Sequence, residues 1–232
     1  MLSAARFASR SLLRPAATRA AAARGVRLVR TGAFDPKTTA VVCIEYQNEF
    51  TSPGGKLHDA VKACMDDTNM LHNTVKTVSA ARERGALIVH APIQFSETYS
   101  EINGTFGILA NVKNGKCFVR GQWGSEIVEP MKPKDGDIVV EGKLGLCGFA
   151  STNLEFVLRQ RGIKTVALTG FLANCCVEST MRQAYEKGFE VITLVDCVAA
   201  TSLEEQAAAL KYTYPMFSKP TKHADFLEDL SA

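Results

Sequence analysis

The sequence predicts an α/β fold, a three-layer α/β/α arrangement around a mostly parallel, doubly wound sheet of about six strands. Three observations carry this. Short apolar runs alternate with stretches of helical spacing, glycines punctuate the junctions, and the connections between runs are long enough to hold a helix. Such connections imply right-handed crossovers and a sheet covered on both faces.

The elements follow in order. Thr39 to Glu45 (TAVVCIE) reads as a buried strand ending at a charged residue. Beyond a turn containing Pro53, Gly54 and Gly55, Ala60 to Arg84 carries apolar residues at helical spacing, and Gly85 stops it. Ala86 to Pro92 (ALIVHAP) is the second strand. Ile93 to Gly136 is long, irregular and rich in Gly and aromatic residues; loops of that length in a compact domain are usually functional or disordered. Asp137 to Glu141 (DIVVE) is a strand, Ser151 to Arg161 a helix ended by Gly162, and Thr165 to Gly170 (TVALTG) the next strand. A helix from about Cys175 to Lys187, a strand from Glu190 to Asp196, a helix from Leu203 to Tyr212 and a short strand at Met216 to Ser218 complete the pattern.

The first 34 of the 232 residues differ from this body. Arg6, Arg10, Arg14, Arg19, Arg24, Arg27 and Arg30 stand among Ala, Leu, Val, Ser and Thr, and no acidic residue precedes Asp35. That is the composition of a mitochondrial transit peptide, so the chain divides into a leader (1–34) and one catalytic-size domain (35–232), with the mitochondrial matrix as destination. The whole chain has 27 Lys plus Arg against 24 Asp plus Glu; without the seven leader arginines the balance is 20 against 24. A mildly acidic body argues against a nucleic-acid partner. No apolar run reaches the roughly 18 residues of a membrane span. Seven cysteines without a C-x-x-C pair are expected to be thiols in a reducing compartment.

In open parallel sheets, ligands bind beyond the carboxyl ends of the strands. Glu45 ends the first strand, Lys143 follows the 137–141 strand, and Cys175 and Cys176 follow the 165–170 strand. A thiol at a strand-to-helix turn meets backbone N–H groups that favour an anion, and a nearby ammonium adds to this. The thiolate can attack a carbonyl, with N–H groups stabilising the oxyanion and Glu45 moving the proton. Each residue alone has a bland explanation as core filler or surface charge. Neighbours on a helix point about 100° apart, so only one of Cys175 and Cys176 can face the crevice, and these physical arguments do not choose between them.

These residues resemble the isochorismatase-like cysteine hydrolase superfamily. Its first strand runs into Asp-x-Gln-Asn-Asp-Phe, matched by Glu45-Tyr46-Gln47-Asn48-Glu49-Phe50. Its second signature is matched from Thr169-Gly170 through Cys175-Cys176-Val177 to Thr180. Gly188, Phe189, Val191 and Asp196 match a third motif, and Lys143, Phe149 and Thr152 a fourth. The resemblance implies Cys176 as nucleophile with Lys143 and Glu45 as its catalytic partners. It implies a cis peptide between Phe171 and Leu172, and an oxyanion hole of the Leu172 and Cys176 N–H groups. Phe50, Phe106, Trp123 and Phe149 are the aromatic candidates for substrate binding, and Gln47 in the first motif joins them. Self-association into a homo-oligomer is a further implication.

Two departures shape the functional expectation. Glu45 replaces the family's aspartate, and the metal-binding Asp-x-His pair of nicotinamidases is absent, His58, His72, His90 and His223 being scattered. The expectation is a hydrolase without metal or other cofactor, cleaving the C–N bond of a small amide or ureide through a thioester. The alternatives are a weakened or inactive member with a binding or redox role, and an ether-cleaving isochorismatase.

Overall fold

The computed structural model describes residues 34–230. The leader reading therefore lies outside the described residues except at Phe34, which belongs to the body. Phe34 is buried, its N–H donates to the Asp229 carbonyl at 3.0 Å, and its ring lies 6.1 Å from Phe226.

Strand β1 (Thr39–Ile44) is buried along its whole length, as its run of Val and Ile requires. A four-residue turn of helix, α1 (Asn48–Thr51), follows, then α2 (His58–Thr68) and α3 (Met70–Glu83). The sequence predicts one helix here; Asn69, at φ 55° and ψ 40°, breaks it in two. Asparagine is among the few residues that enter the left-handed region at low cost. Strand β2 (Leu87–Ala91) comes next. The segment expected to be irregular contains a real helix, α4 (Gly107–Asn114), and two single turns at Trp123–Ser125 and Glu129–Met131.

Strand β3 (Ile138–Val139) is short, and α5 (Leu154–Gln160) leads to β4 (Thr165–Phe171). A widened helical turn, Ala173–Val177, runs into α6 (Glu178–Glu186), and β5 (Glu190–Ala199) follows. Helix α7 (Leu203–Ala208), capped by the Ser202 hydroxyl accepting from the Glu205 N–H, continues through a second widened turn into α8 (Tyr214–Phe217). The predicted last strand at 216–218 is thus the end of a helix, which Pro215 helps to start. The strand proper, β6, is Lys219–Thr221. Helix α9 (His223–Asp229), absent from the sequence reading, is capped from a distance by Asp196, whose Oδ1 accepts the His223 N–H at 2.8 Å.

All six strands are parallel, in the order β3-β2-β1-β4-β5-β6. Alternation along β1 builds both interior layers. Val41 and Cys43 pack with Ile88, Ala167 and Ile192 beneath α2, α3 and α9; Ala40, Val42 and Ile44 pack with Val89, Val166 and Leu168 beneath α5, α6 and α8. Each fully buried Val, Ile or Leu contributes roughly 1.5–3 kcal/mol, so both faces are strongly specified. Among the described residues no helix is long and apolar enough to cross a membrane.

The strand order fixes the place of the site. The chain moves outward from β1 to β2 and β3, then returns to lay β4 on the other side of β1. That reversal opens a crevice at the carboxyl ends of β1 and β4.

Candidate active site

Glu45 stands immediately after β1 with φ 59°. A non-glycine residue held in the left-handed region costs on the order of 1–3 kcal/mol, and such positions gather at functional sites. The neighbouring strand accommodates the bend because Gly170 lacks a side chain: a Cβ there would lie 2.0 Å from the Ile44 carbonyl oxygen. The Glu45 side chain turns inward, where its Oε1 accepts from Lys143 Nζ at 2.5 Å. The ammonium also donates to the Gly145 carbonyl at 2.7 Å. Glu45 and Lys143 are each only 2 % exposed, so this ion pair is shielded from solvent.

Cys176 lies on the widened turn between β4 and α6. Two hydroxyls hold that turn: Tyr214 donates to the Ala173 carbonyl at 2.8 Å, and Thr180 to the Cys176 carbonyl at 2.7 Å. The peptide between Phe171 and Leu172 is cis, as the resemblance implied. Glu45, Leu172 and Cys176 open onto one cavity of about 250 Å³. Lys143 does not line it; it borders a neighbouring groove and meets the site through Glu45.

The direction of the shift at the thiol is opposite to the sequence expectation. The Cys175 thiol against it, burial and the Glu45 carboxylate all push Cys176 well above its ordinary value, and Lys143 only partly opposes them. The sequence reading weighed the helix end and the ammonium but not burial, which disfavours any charged form. For Lys143 burial acts first, pulling the ammonium down; the Glu45 carboxylate and the Cys176 and Cys147 thiols outweigh it, and the net direction is up.

The substrate-contact candidates separate. Phe50 lines the cavity and stacks on Phe171 with ring centroids 4.8 Å apart and planes 8° apart. Gln47 does not line it: its Nε2 donates to the Ile93 and Ser125 carbonyls at 2.8 Å each and its Oε1 accepts the Ile93 N–H at 2.9 Å, making it a fully buried strut. Phe149 packs against Phe189, at 6.0 Å between centroids, in the same core layer as Cys176 but outside the cavity. Trp123 is half exposed and outside the cavity. Phe106 is 87 % exposed and borders an adjoining depression, which shares Ile108, Leu109 and Leu146 with the cavity.

Sequence reasoning missed most of the wall. Helix α4 supplies Ile108, Leu109, Asn111 and Val112, and α2 supplies Leu57 at its cap, Ala60 and Val61. The apolar spacing of Ile108, Leu109 and Val112 was the available signal. Among the described residues, Asp196, Cys197 and His223 bring potential metal-ligand atoms within 4.8 Å of one another. None lines the cavity, and Asp196 already caps α9 and meets His223 Nδ1 at 2.7 Å. All seven cysteines are free.

A parallel sheet with this reversal, carrying cysteine, lysine and carboxylate at its crevice, defines an isochorismatase-like α/β hydrolase. The isochorismatase domain model matches residues 39–225, and the chain belongs to that family. It is similar to the ureidoacrylate amidohydrolase RutB of Caulobacter segnis, with 32 % identity over 205 residues covering 83 % of this chain and 85 % of that one. Among solved structures it is similar to a cysteine hydrolase from Pseudomonas syringae pv. phaseolicola 1448A, at TM-score 0.75 and 25 % identity over 85 % of this chain and 94 % of that one. It is also similar to N-carbamoylsarcosine amidase from Thermoplasma acidophilum, at TM-score 0.65 and 26 % identity over 80 % of this chain and 96 % of that one.

Proposed function

We propose that this hydrolase is a metal-independent cysteine amidohydrolase that cleaves the C–N bond of a small amide or ureide through a thioester on Cys176. One observation carries the reading: the Cys176 thiol and the Glu45 carboxylate open on the same cavity, with a buried ammonium fixing the carboxylate. The names of two relatives, a ureidoacrylate amidohydrolase and an N-carbamoylsarcosine amidase, support the bond type.

The Cys176 proton passes to Glu45 as the sulfur attacks the carbonyl carbon. The Leu172 and Cys176 N–H groups receive the developing oxyanion. Collapse returns the proton from Glu45 to the leaving nitrogen, releasing an amine or ammonia and leaving the acyl group on sulfur. Water, deprotonated by Glu45, then hydrolyses the thioester and restores the thiol. Lys143 keeps the Glu45 carboxylate in place through both halves.

Incubating the protein with a panel of small amides and ureides tests this. Ammonia release by wild type, loss of release in Cys176→Ala, and an acyl adduct on the Cys176 peptide in quenched samples are the expected results. Absence of release and adduct across the panel would leave a binding or redox role in its place. We further propose matrix targeting by residues 1–34, read out by a fluorescent fusion of that segment, and self-association, read out by light scattering.

A further inference from the structure

The cavity that receives the substrate has almost no polar wall. Phe50, Leu57, Val61, Phe118, Leu146 and Leu172 line it, and the polar groups facing it are Glu45, Asn111, Thr201 and the Cys176 thiol. No lysine, arginine or histidine is among its lining residues. The nearby ammonium of Lys143 is committed to Glu45 and the Gly145 carbonyl. A substrate carboxylate would therefore enter an apolar space whose fixed charge is another carboxylate. Burying an unpaired anion there is opposed by both desolvation and like-charge repulsion.

We propose, resting on the amidohydrolase reading above, that the substrate is an uncharged amide or ureide with a compact apolar acyl or alkyl group, and that the site rejects carboxylate-bearing analogues. The acrylate and sarcosine in the names of the similar proteins are carboxylates, so the inference separates this chain from them. The cavity, about 250 Å³, equals about eight waters at roughly 30 Å³ each, which suits a group of a few carbons. Asn111 and Thr201 supply neutral hydrogen-bonding groups for the amide or ureide end. Arg120 and Lys132 line a neighbouring groove of about 860 Å³, which Lys143 also borders, together with Glu101, Glu126 and Glu141, so their charge is opposed where it stands.

Matched pairs decide the question: butyramide against succinamate, and propylurea against 3-ureidopropionate. The expected result is a kcat/KM at least a hundredfold higher for the neutral member of a pair. Asn111→Arg, which adds a guanidinium to an exposed position of the wall, is expected to shrink that ratio tenfold or more. Calorimetric binding to Cys176→Ala reads the same preference without chemistry, the neutral member binding more tightly. Equal or better turnover of the carboxylates would overturn the inference, decisively so if Arg120→Ser abolished it, and would leave the hydrolase reading intact. Preferential binding of the neutral members without turnover by wild type would do the reverse. If no member binds, both fall.

Discussion

Lys143 Nζ and Glu45 Oε1 meet at 2.5 Å with both side chains sealed from water, so each charge is supported by the other. Removing one partner of a buried pair leaves an uncompensated charge, at a cost of about 3–5 kcal/mol. Lys143→Met is expected to lose that much in urea-unfolding free energy. The double variant Lys143→Met with Glu45→Gln should recover a large part of it. Equal destabilisation by both would show that the pair is not coupled.

Glu45 also raises the Cys176 thiol. Glu45→Gln removes a proton acceptor and a negative charge together, and the two effects have opposite readouts. Turnover should fall on the order of 10²–10⁴-fold. The rate of iodoacetamide alkylation at Cys176 near neutral pH should rise, because the thiol ionises more readily without the carboxylate. A parallel fall in both rates would mean that Glu45 acts through folding alone.

Gln47 is expected to matter for stability rather than for substrate affinity. Its side chain satisfies two carbonyls and one N–H of the buried backbone around Ile93 and Ser125. Orphaning such groups costs about 1–3 kcal/mol apiece. Gln47→Leu should lower Tm markedly while KM of the protein that remains folded stays within a few-fold of wild type. A selective rise in KM at unchanged Tm would return Gln47 to the substrate site.

Buried thiols give the fold an alkaline limit. Burial pushes Cys43 from 9.0 up to about 12 and Cys117 from 9.0 to about 11. Above about pH 9 the unfolded chain loses these protons while the native state retains them. The unfolded state then binds fewer protons, and stability falls as pH rises. For each such thiol the slope is about 1.4 kcal/mol per pH unit until its native value is reached. The urea midpoint should drop steadily from pH 9 to 11, and Cys43→Ala should flatten that slope. A pH-independent midpoint in this window would refute the argument.

Much of this architecture was legible in the residues. Strands such as Thr39–Ile44 announce themselves because a run buried on both faces must be continuously apolar, and Gly85, Gly162 and Gly188 end the helices before the next strand. Glu45, Lys143 and the Cys175–Cys176 pair were placed by their positions after strands, which requires only topology; the choice of Cys176 came from the resemblance. Side-chain direction was not legible. Gln47 and Phe149 sit inside matching motifs, yet one props a loop and the other packs on Phe189, since proximity in sequence does not say which way a χ1 rotor points. Helix α4 was hidden because its few apolar residues stand within a long glycine-rich segment. The upward push on the thiol was hidden too: burial depends on tertiary packing, which no local pattern encodes.

Phe34 and Leu230 form a parallel bridge, and the Phe34 N–H reaches the Asp229 carbonyl at 3.0 Å, so the first and last described residues are side by side. A segment running from Phe34 to Leu230 can therefore be closed into a ring with a few added residues and reopened elsewhere. The glycine turn at Gly136, on the rim of the sheet beside its shortest strand, is the natural place to cut. Such a rewired molecule would keep the crevice between β1 and β4, because both strands lie in the middle of the sheet while the new opening falls beside its edge strand β3.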